Sequence, residues 1–284
     1  MSHAAEPSRY FVPTPSYWPL VGSGALLLLA FGAVLTMNSV ANGAWVLLAG
    51  CLVLLTMLVG WFGRVITESE ANLYNLQVDR SFRLAMAWFI FSELMFFAAF
   101  FGALFYVRVL AVPDLASPAQ ALLWEGFANT WPTAGPAAKG IFTPMHAWGL
   151  PAINTALLLS SGVTITWAHW GLIEGRRTHL VAGLALTVLL GLVFLSVQWV
   201  EYQEAYDHMN LKLTSGVYGS TFFMLTGFHG FHVTLGAIML MVILARAIKG
   251  HFTPERHFAF KAVAWYWHFV DVVWLILFVV IYWL

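Results

Sequence analysis

Apolar residues fall into seven long runs separated by short polar stretches. From Tyr10 to Gly63 there is no Asp, Glu, Lys, Arg or His. That is too long for one buried core helix, so it reads as two bilayer spans, with Asn38, Asn42 and Gly43 marking a tight turn between them. The runs predict spans at Tyr17–Val40, Ala44–Ile66, Leu84–Val107, Ala147–Trp170, Leu180–Val200, Gly216–Ile248 and Ala259–Leu284. Each holds ~20 residues or more, enough to cross a ~30 Å hydrocarbon core as a helix. A membrane barrel would alternate apolar and polar positions along each strand, and these runs do not. The expected fold is an all-α membrane protein with seven transmembrane helices. Ser160, Ser161 and Gly162, with Gly216, Gly219, Gly227, Gly230 and Gly236, predict close helix packing. Between the third and fourth spans lies the longest connection, about Arg108 to His146. Its Ser117-Pro118-Ala119-Gln120 has capping-box spacing with Pro at the first helical position. Either a short interfacial helix carrying Leu122, Leu123 and Phe127 or an irregular polar loop fits it.

Composition strengthens the membrane reading. Hydrophobic residues make up 61% of the chain and charged residues 9%, whereas soluble domains carry roughly 25% charged residues. The formal net charge of zero argues against a nucleic-acid partner. The single cysteine, Cys51, cannot form an intrachain disulfide and is expected to be a small core residue. The N-terminal MSHAAEPSRYFVPTPSYW lacks a signal peptide's pattern, so the first span is expected to act as its own insertion signal. With the N-terminus inside, Arg9, Arg64, Arg80, Arg83, Arg176, Arg177, Arg246, Lys249, Arg256 and Lys261 lie on the inner side. Only Arg108, Lys139 and Lys212 lie outside. That asymmetry sets the orientation and puts the C-terminus outside. Tyr17, Trp18, Trp45, Trp61, Trp170, Tyr282 and Trp283 supply the aromatic belts.

Against this apolar background a few polar residues become candidates for chemistry. Glu93, in FIFSELMFFAAFF, stands midway along the third span, with Phe89, Ile90, Phe96 and Phe97 as its helical neighbours. A carboxylate there must be protonated, paired or turned to a wet cavity. It is a proton-handling or lipid-contacting group, or a neutral acid bonded to another helix. His268 and Asp271 are three apart on one face, a spacing suited to a His–Asp bond or helix clamp. His229 and His232 share that spacing, which would allow two metal ligands from one turn. No third ligand is evident, so inter-helix hydrogen bonds are the expectation and no metal site is predicted. Glu201 and Glu204, with Tyr202, read as a solvated rim. Glu68, Arg246 and Lys249 fall at the inner interface, where basic side chains suit lipid phosphates or simply snorkel.

Four strings carry a resemblance: FIFSELMFF (Phe89–Phe97), LLLSSGVTITWAHW (Leu157–Trp170), SGVYGSTFFMLTGFHGFHV (Ser215–Val233) and AWYWHFVDVVW (Ala264–Trp274). In this order, and from Trp18-Pro19 to the C-terminus, the sequence resembles subunit III of the haem–copper cytochrome c oxidases. The resemblance implies one subunit III domain over 1–284. It has a two-helix arm (helices 1–2, about 17–66) and a five-helix bundle (helices 3–7, about 84–284), separated by a V-shaped lipid cleft. It implies a non-catalytic subunit without haem or copper, which belong to partner subunits I and II, with cytochrome c as electron donor to the complex. It also implies bound phospholipid, support of proton uptake into subunit I, and protection of that subunit during proton-pumping oxygen reduction. Glu93 falls on the family's buried carboxylate, Glu68 on an acidic residue at the lipid cleft, and Arg246, Lys249 and His251 on lipid-headgroup positions. The resemblance assigns no chemistry to His229, His232, His268 or Asp271. Three departures stand out. Phe62 replaces a tryptophan of animal mitochondrial chains, Trp170 replaces the second His of WAHH, and the third loop is longer. The long loop points to a bacterial inner membrane, with the N-terminus cytoplasmic and the C-terminus periplasmic. A homologous quinol oxidase subunit, typically five-helical, and a stand-alone transporter are the alternatives. The two extra N-terminal spans disfavour the first, and the lack of paired charges or broken half-helices disfavours the second.

Overall fold

A computed structural model describes residues 11, 12, 14–137 and 142–283. Arg9, Lys139 and Leu284, which enter the orientation and the span ends, lie outside the described residues. Among the described residues seven helices are long and apolar enough to cross a membrane. They are α1 (Trp18–Met37), α2 (Gly43–Glu70), α3 (Leu76–Phe105), α4 (Leu150–Ile173), α5 (Arg177–Asp207), α6 (Val217–Lys249) and α7 (Phe258–Leu277). No strand occurs among the described residues. Helix α3 continues as a π-helix, Tyr106–Ala111, and a last α-turn, Val112–Leu115. Pro113 has no N–H to give the carbonyl four residues back, and the helix widens just ahead of it. Helix α7 ends in a second π-helical stretch, Phe278–Trp283. Of the two readings of the third loop, the irregular one holds and the interfacial helix does not form. Residues 117–127 make successive turns, with the Gln120 N–H donating to the Ser117 carbonyl at 3.0 Å. An isolated segment this short does not repay helix nucleation, and Gly126, at φ +76°, reverses the chain.

The chain divides into two compact units, one ending at Phe82 and the other starting at Arg83. In the first, α1 and α2 meet backbone to backbone. A Cβ on Gly43 would lie 2.7 Å from the Thr36 nitrogen, and one on Gly50 2.8 Å from the Leu29 nitrogen. Only glycine permits that approach, the usual device where apolar side chains gain nothing by avoiding lipid. The turn between them holds Asn42 at φ 68°, a left-handed position Asn tolerates. Cys51 is exposed on α2, not a core residue. A two-helix unit has little interior, and most of its apolar surface faces outward.

The second unit has a conventional interior, with Phe97, Phe194, Phe222, Tyr266, Trp267 and Trp274 buried. Trp267 locks it together. A Cβ on Gly191 of α5 or on Gly236 of α6 would lie 2.8 Å from its ring, while its Nε1–H donates to Ser161 Oγ of α4 at 2.8 Å. One indole thus fixes the spacing of three neighbouring helices.

Candidate functional site

Glu93 of α3 and His232 of α6 form a close polar pair in the second unit. Glu93 Oε2 lies 2.7 Å from His232 Nε2, and His232 Nδ1 lies 2.6 Å from the Phe228 carbonyl. A carbonyl only accepts, so Nδ1 carries a hydrogen and donates it. Without a further proton, two lone pairs would face each other across 2.7 Å. The dyad therefore holds one proton in that gap, as carboxylic acid and imidazole or as carboxylate and imidazolium, and is neutral as a whole. The rings of Phe96, Phe97 and Tyr266 surround the imidazole, with centroids 5.8, 5.0 and 6.4 Å away. The histidine is 8% exposed and the carboxylate 21%, so Glu93 is the side from which a proton or lipid could reach the pair. Chemically, the arrangement can store one proton and move it between oxygen and nitrogen.

His229 and His232 do not converge. His229 is fully buried and donates Nε2–H to the Val270 carbonyl of α7 at 3.2 Å, against the Phe194 and Trp274 rings. Among the described residues no three His, Cys, Asp or Glu side chains come together as a metal site would require. His268 Nδ1 faces Asp271 Oδ2 at 3.5 Å, and His268 Nε2 faces Thr166 Oγ1 at 3.4 Å. Room for that carboxylate comes from Gly162, where a Cβ would sit 2.6 Å from Oδ2. Trp274 adds a clamp between α7 and α4, its Nε1–H donating to Thr155 Oγ1 at 2.9 Å.

The rim reading of Glu201 is corrected. Helix α5 runs on to Asp207, past the predicted end at Val200, so Glu201 is wholly buried. Tyr282 donates its hydroxyl to Glu201 Oε1 at 2.6 Å. Beside it, Asn154 donates to Gln198 Oε1 at 3.3 Å and Tyr202 to Thr226 Oγ1 at 2.7 Å. Sequence reasoning missed Tyr282 by assigning it to the aromatic belt. The only available signal was a phenol placed to share a depth with a carboxylate on another helix.

At the predicted inner side the lipid candidates divide between the units. In the first, Glu68 is engaged within its own unit. Arg64 Nε reaches Oε1 at 3.2 Å and Tyr74 donates to Oε2 at 3.0 Å, while Arg64 also donates to Thr14. Burial, then the Glu68 carboxylate, pushes the Tyr74 phenol above its ordinary range. In the second unit, Arg246 and Lys249 occupy the last turn of α6, where cations complement the helix dipole. Gly250 caps that helix at φ 80°, and the His251 N–H returns to the Arg246 carbonyl at 3.1 Å. The Arg246 guanidinium stacks over Phe252, 4.8 Å from its centroid, and Arg177 donates to the Ile248 carbonyl. Arg246, Lys249 and His251 thus share one short stretch at the end of one helix.

The family model described as cytochrome c oxidase subunit III matches residues 8–284. Among similar curated proteins, cytochrome c oxidase subunit 3 of Branchiostoma lanceolatum is 41% identical over 279 residues, covering 98% of this chain and 97% of the relative. Those of Cyprinus carpio and Petromyzon marinus are 41% and 39% identical over 284 residues, each covering 100% of this chain and 99% of the relative.

Proposed function

Since the chain belongs to the cytochrome c oxidase subunit III family, we propose that it serves its oxidase as a non-catalytic subunit that binds phospholipid and supports the proton-pumping subunit. The observation that carries this reading is the full-length match, together with a bundle whose buried polar groups mostly tie helix to helix. In this reading the chain holds no redox centre. Haem and copper reside in subunits I and II, and cytochrome c delivers electrons to the complex rather than to this chain. Arg246, Lys249 and His251 receive a lipid phosphate at the end of α6, where their charges meet the membrane boundary. Glu68 serves a lipid-facing edge through its Arg64 and Tyr74 partners. The Glu93–His232 dyad is a positioned, neutral proton-bearing group that steadies the bundle beside the proton route of subunit I. The expected location is a bacterial inner membrane with the N-terminus cytoplasmic.

The test is purification of the tagged chain from its native membrane, followed by a visible spectrum and metal analysis. Co-purifying haem and copper subunits are expected, with phospholipid retained. Replacing Arg246 and Lys249 by Ala should lower retained phospholipid, read by mass spectrometry of the washed complex. A tagged chain that brings down no haem protein overturns the reading, and unchanged lipid content in the variant removes its phospholipid part.

A further inference from the structure

His268 presents polar atoms where a bilayer offers none. It stands ten residues into the seventh span, Phe258–Trp283. At 1.5 Å per residue that is ~15 Å from the end, near the middle of a ~30 Å core. Its side chain is nonetheless 45% exposed. It lies on an outward stripe of the seventh span with Trp265, Val272, Ile276 and Val279, all exposed. Thr166 of α4 borders the histidine, and Val163 is exposed one turn along from it.

The internal bonds of His268 are weak. Both ring nitrogens have partners at 3.4 and 3.5 Å, beyond the usual 2.7–3.2 Å range for such bonds. Asp271 Oδ1 is buried without any partner. The Glu93–His232 pair, at 2.7 Å, shows what a completed intramembrane pair looks like in the same unit. The Thr166 hydroxyl proton is donated to the Gly162 carbonyl at 2.9 Å. Thr166 Oγ1 can therefore only accept from His268, which makes Nε2 a donor, and a shorter acceptor would readily take that hydrogen. Acyl chains contain no acceptor, and a headgroup would have to reach ~15 Å into the core. A second protein helix meets both demands, because its backbone is internally satisfied and its side chains can be polar at one depth. Ser160, exposed on α4 with its hydroxyl turned back to Ala156, is a small residue of the kind that lets helices approach closely.

We propose that the α4–α7 face around His268 seats a transmembrane helix of a partner subunit, and that this helix presents a hydrogen-bond acceptor at the depth of His268. The inference rests on the reading of this chain as an oxidase subunit and adds the face by which it docks. The test uses the intact complex, with a tag on this chain and a benzophenone-bearing residue in place of Val272, the next position on the exposed stripe. A control probe replaces Leu189, exposed on α5. Illumination in native membranes should join the Val272 position to another subunit, while the Leu189 position gives lipid adducts only. In parallel, His268→Leu should lower the ratio of this chain to haem after a detergent wash by about threefold, the scale of one interhelical hydrogen bond. His268→Gln, which keeps a donor, should hold it near wild type. Lipid-only adducts at Val272, equal protein adducts at both positions, or a His268→Leu ratio that does not move would overturn the inference. If the unsubstituted tagged chain brings down no haem at all, the oxidase reading itself falls. If it does and Val272 meets only lipid, only the docking face falls.

Discussion

At the scale of single residues, the protein places few polar side chains in its interior, and several are held by a partner on another helix. The Glu93–His232 dyad holds one proton between two atoms 2.7 Å apart, and the choice of substitution can show where that proton resides. If it stays on the carboxyl group, Glu93→Gln keeps a donor toward Nε2 and should cost under about 1 kcal/mol. Glu93→Ala leaves a buried imidazole nitrogen unanswered, at about 1–3 kcal/mol. The thermal midpoint of the purified complex reads the difference, and Gln behaving as badly as Ala would assign the proton to histidine. Glu201 allows a sharper comparison because it is fully buried. Tyr282→Phe removes the 2.6 Å donor and should destabilise by about 1–3 kcal/mol, since the acceptor stays buried without it. Adding Glu201→Leu to Tyr282→Phe should recover part of that loss, because the stranded acceptor disappears with its donor. A double variant worse than the sum of the singles would show that the carboxyl group has another essential partner.

At the scale of the element, the helices are spaced by glycines that serve one neighbour each. Gly236 of α6 faces the Trp267 ring, with a Cβ there 2.8 Å from the ring, while Gly230 of the same helix has nothing within 4 Å. Gly236→Ala should therefore cost about 1–3 kcal/mol through overpacking. Gly230→Ala should be neutral or gain up to about 1 kcal/mol from the lower conformational freedom of alanine. Urea or heat unfolding of the two variants separates these outcomes, and equal losses would mean that helix propensity, not the indole, sets the response. The existence and type of all seven spans were legible in the sequence, because a bilayer imposes both length and apolarity on each. Their ends were less so. Helix α3 starts at Leu76 rather than Leu84, because Asp79, Arg80 and Arg83 belong to a helical turn that extends beyond the apolar run. The short interfacial helix failed for the opposite reason, since a cap without a long periodic segment behind it does not sustain a helix. Pairing was the least legible level. His232 bonds to a residue 139 positions away, and no local period encodes that, so the sequence pointed to bonds between helices without naming the partner. Glu201 was misread as a rim residue because hydropathy ends at Val200 while the helix does not.

At the scale of the whole molecule, the remaining question the sequence addresses is direction across the membrane. Basic residues divide ten to three between the two sides, and positive charge is retained on the side from which a chain is inserted. Arg64, Arg246 and Lys249 lie near span ends assigned to the inside, and Arg108 and Lys212 near ends assigned to the outside. Each charge also resists crossing on its own, with helix-centre insertion costs of about 2.5–3.5 kcal/mol for Lys or Arg, so the asymmetry amounts to several such barriers. The orientation can be checked with two introduced thiols. Ala128→Cys, exposed in the third loop, and Glu255→Cys, exposed between α6 and α7, fall on opposite sides. The native Cys51 lies eight residues into α2, ~12 Å from its start, and is replaced by Ser for a clean background. In sealed right-side-out vesicles a membrane-impermeant maleimide should label Ala128→Cys at once and Glu255→Cys only after permeabilisation. The reversed pattern would place the N-terminus outside, and Arg246, Lys249 and His251 would then face the opposite leaflet. Labelling of both thiols before permeabilisation would instead mean that α4, α5 and α6 do not all span, and the seven-span topology would fall.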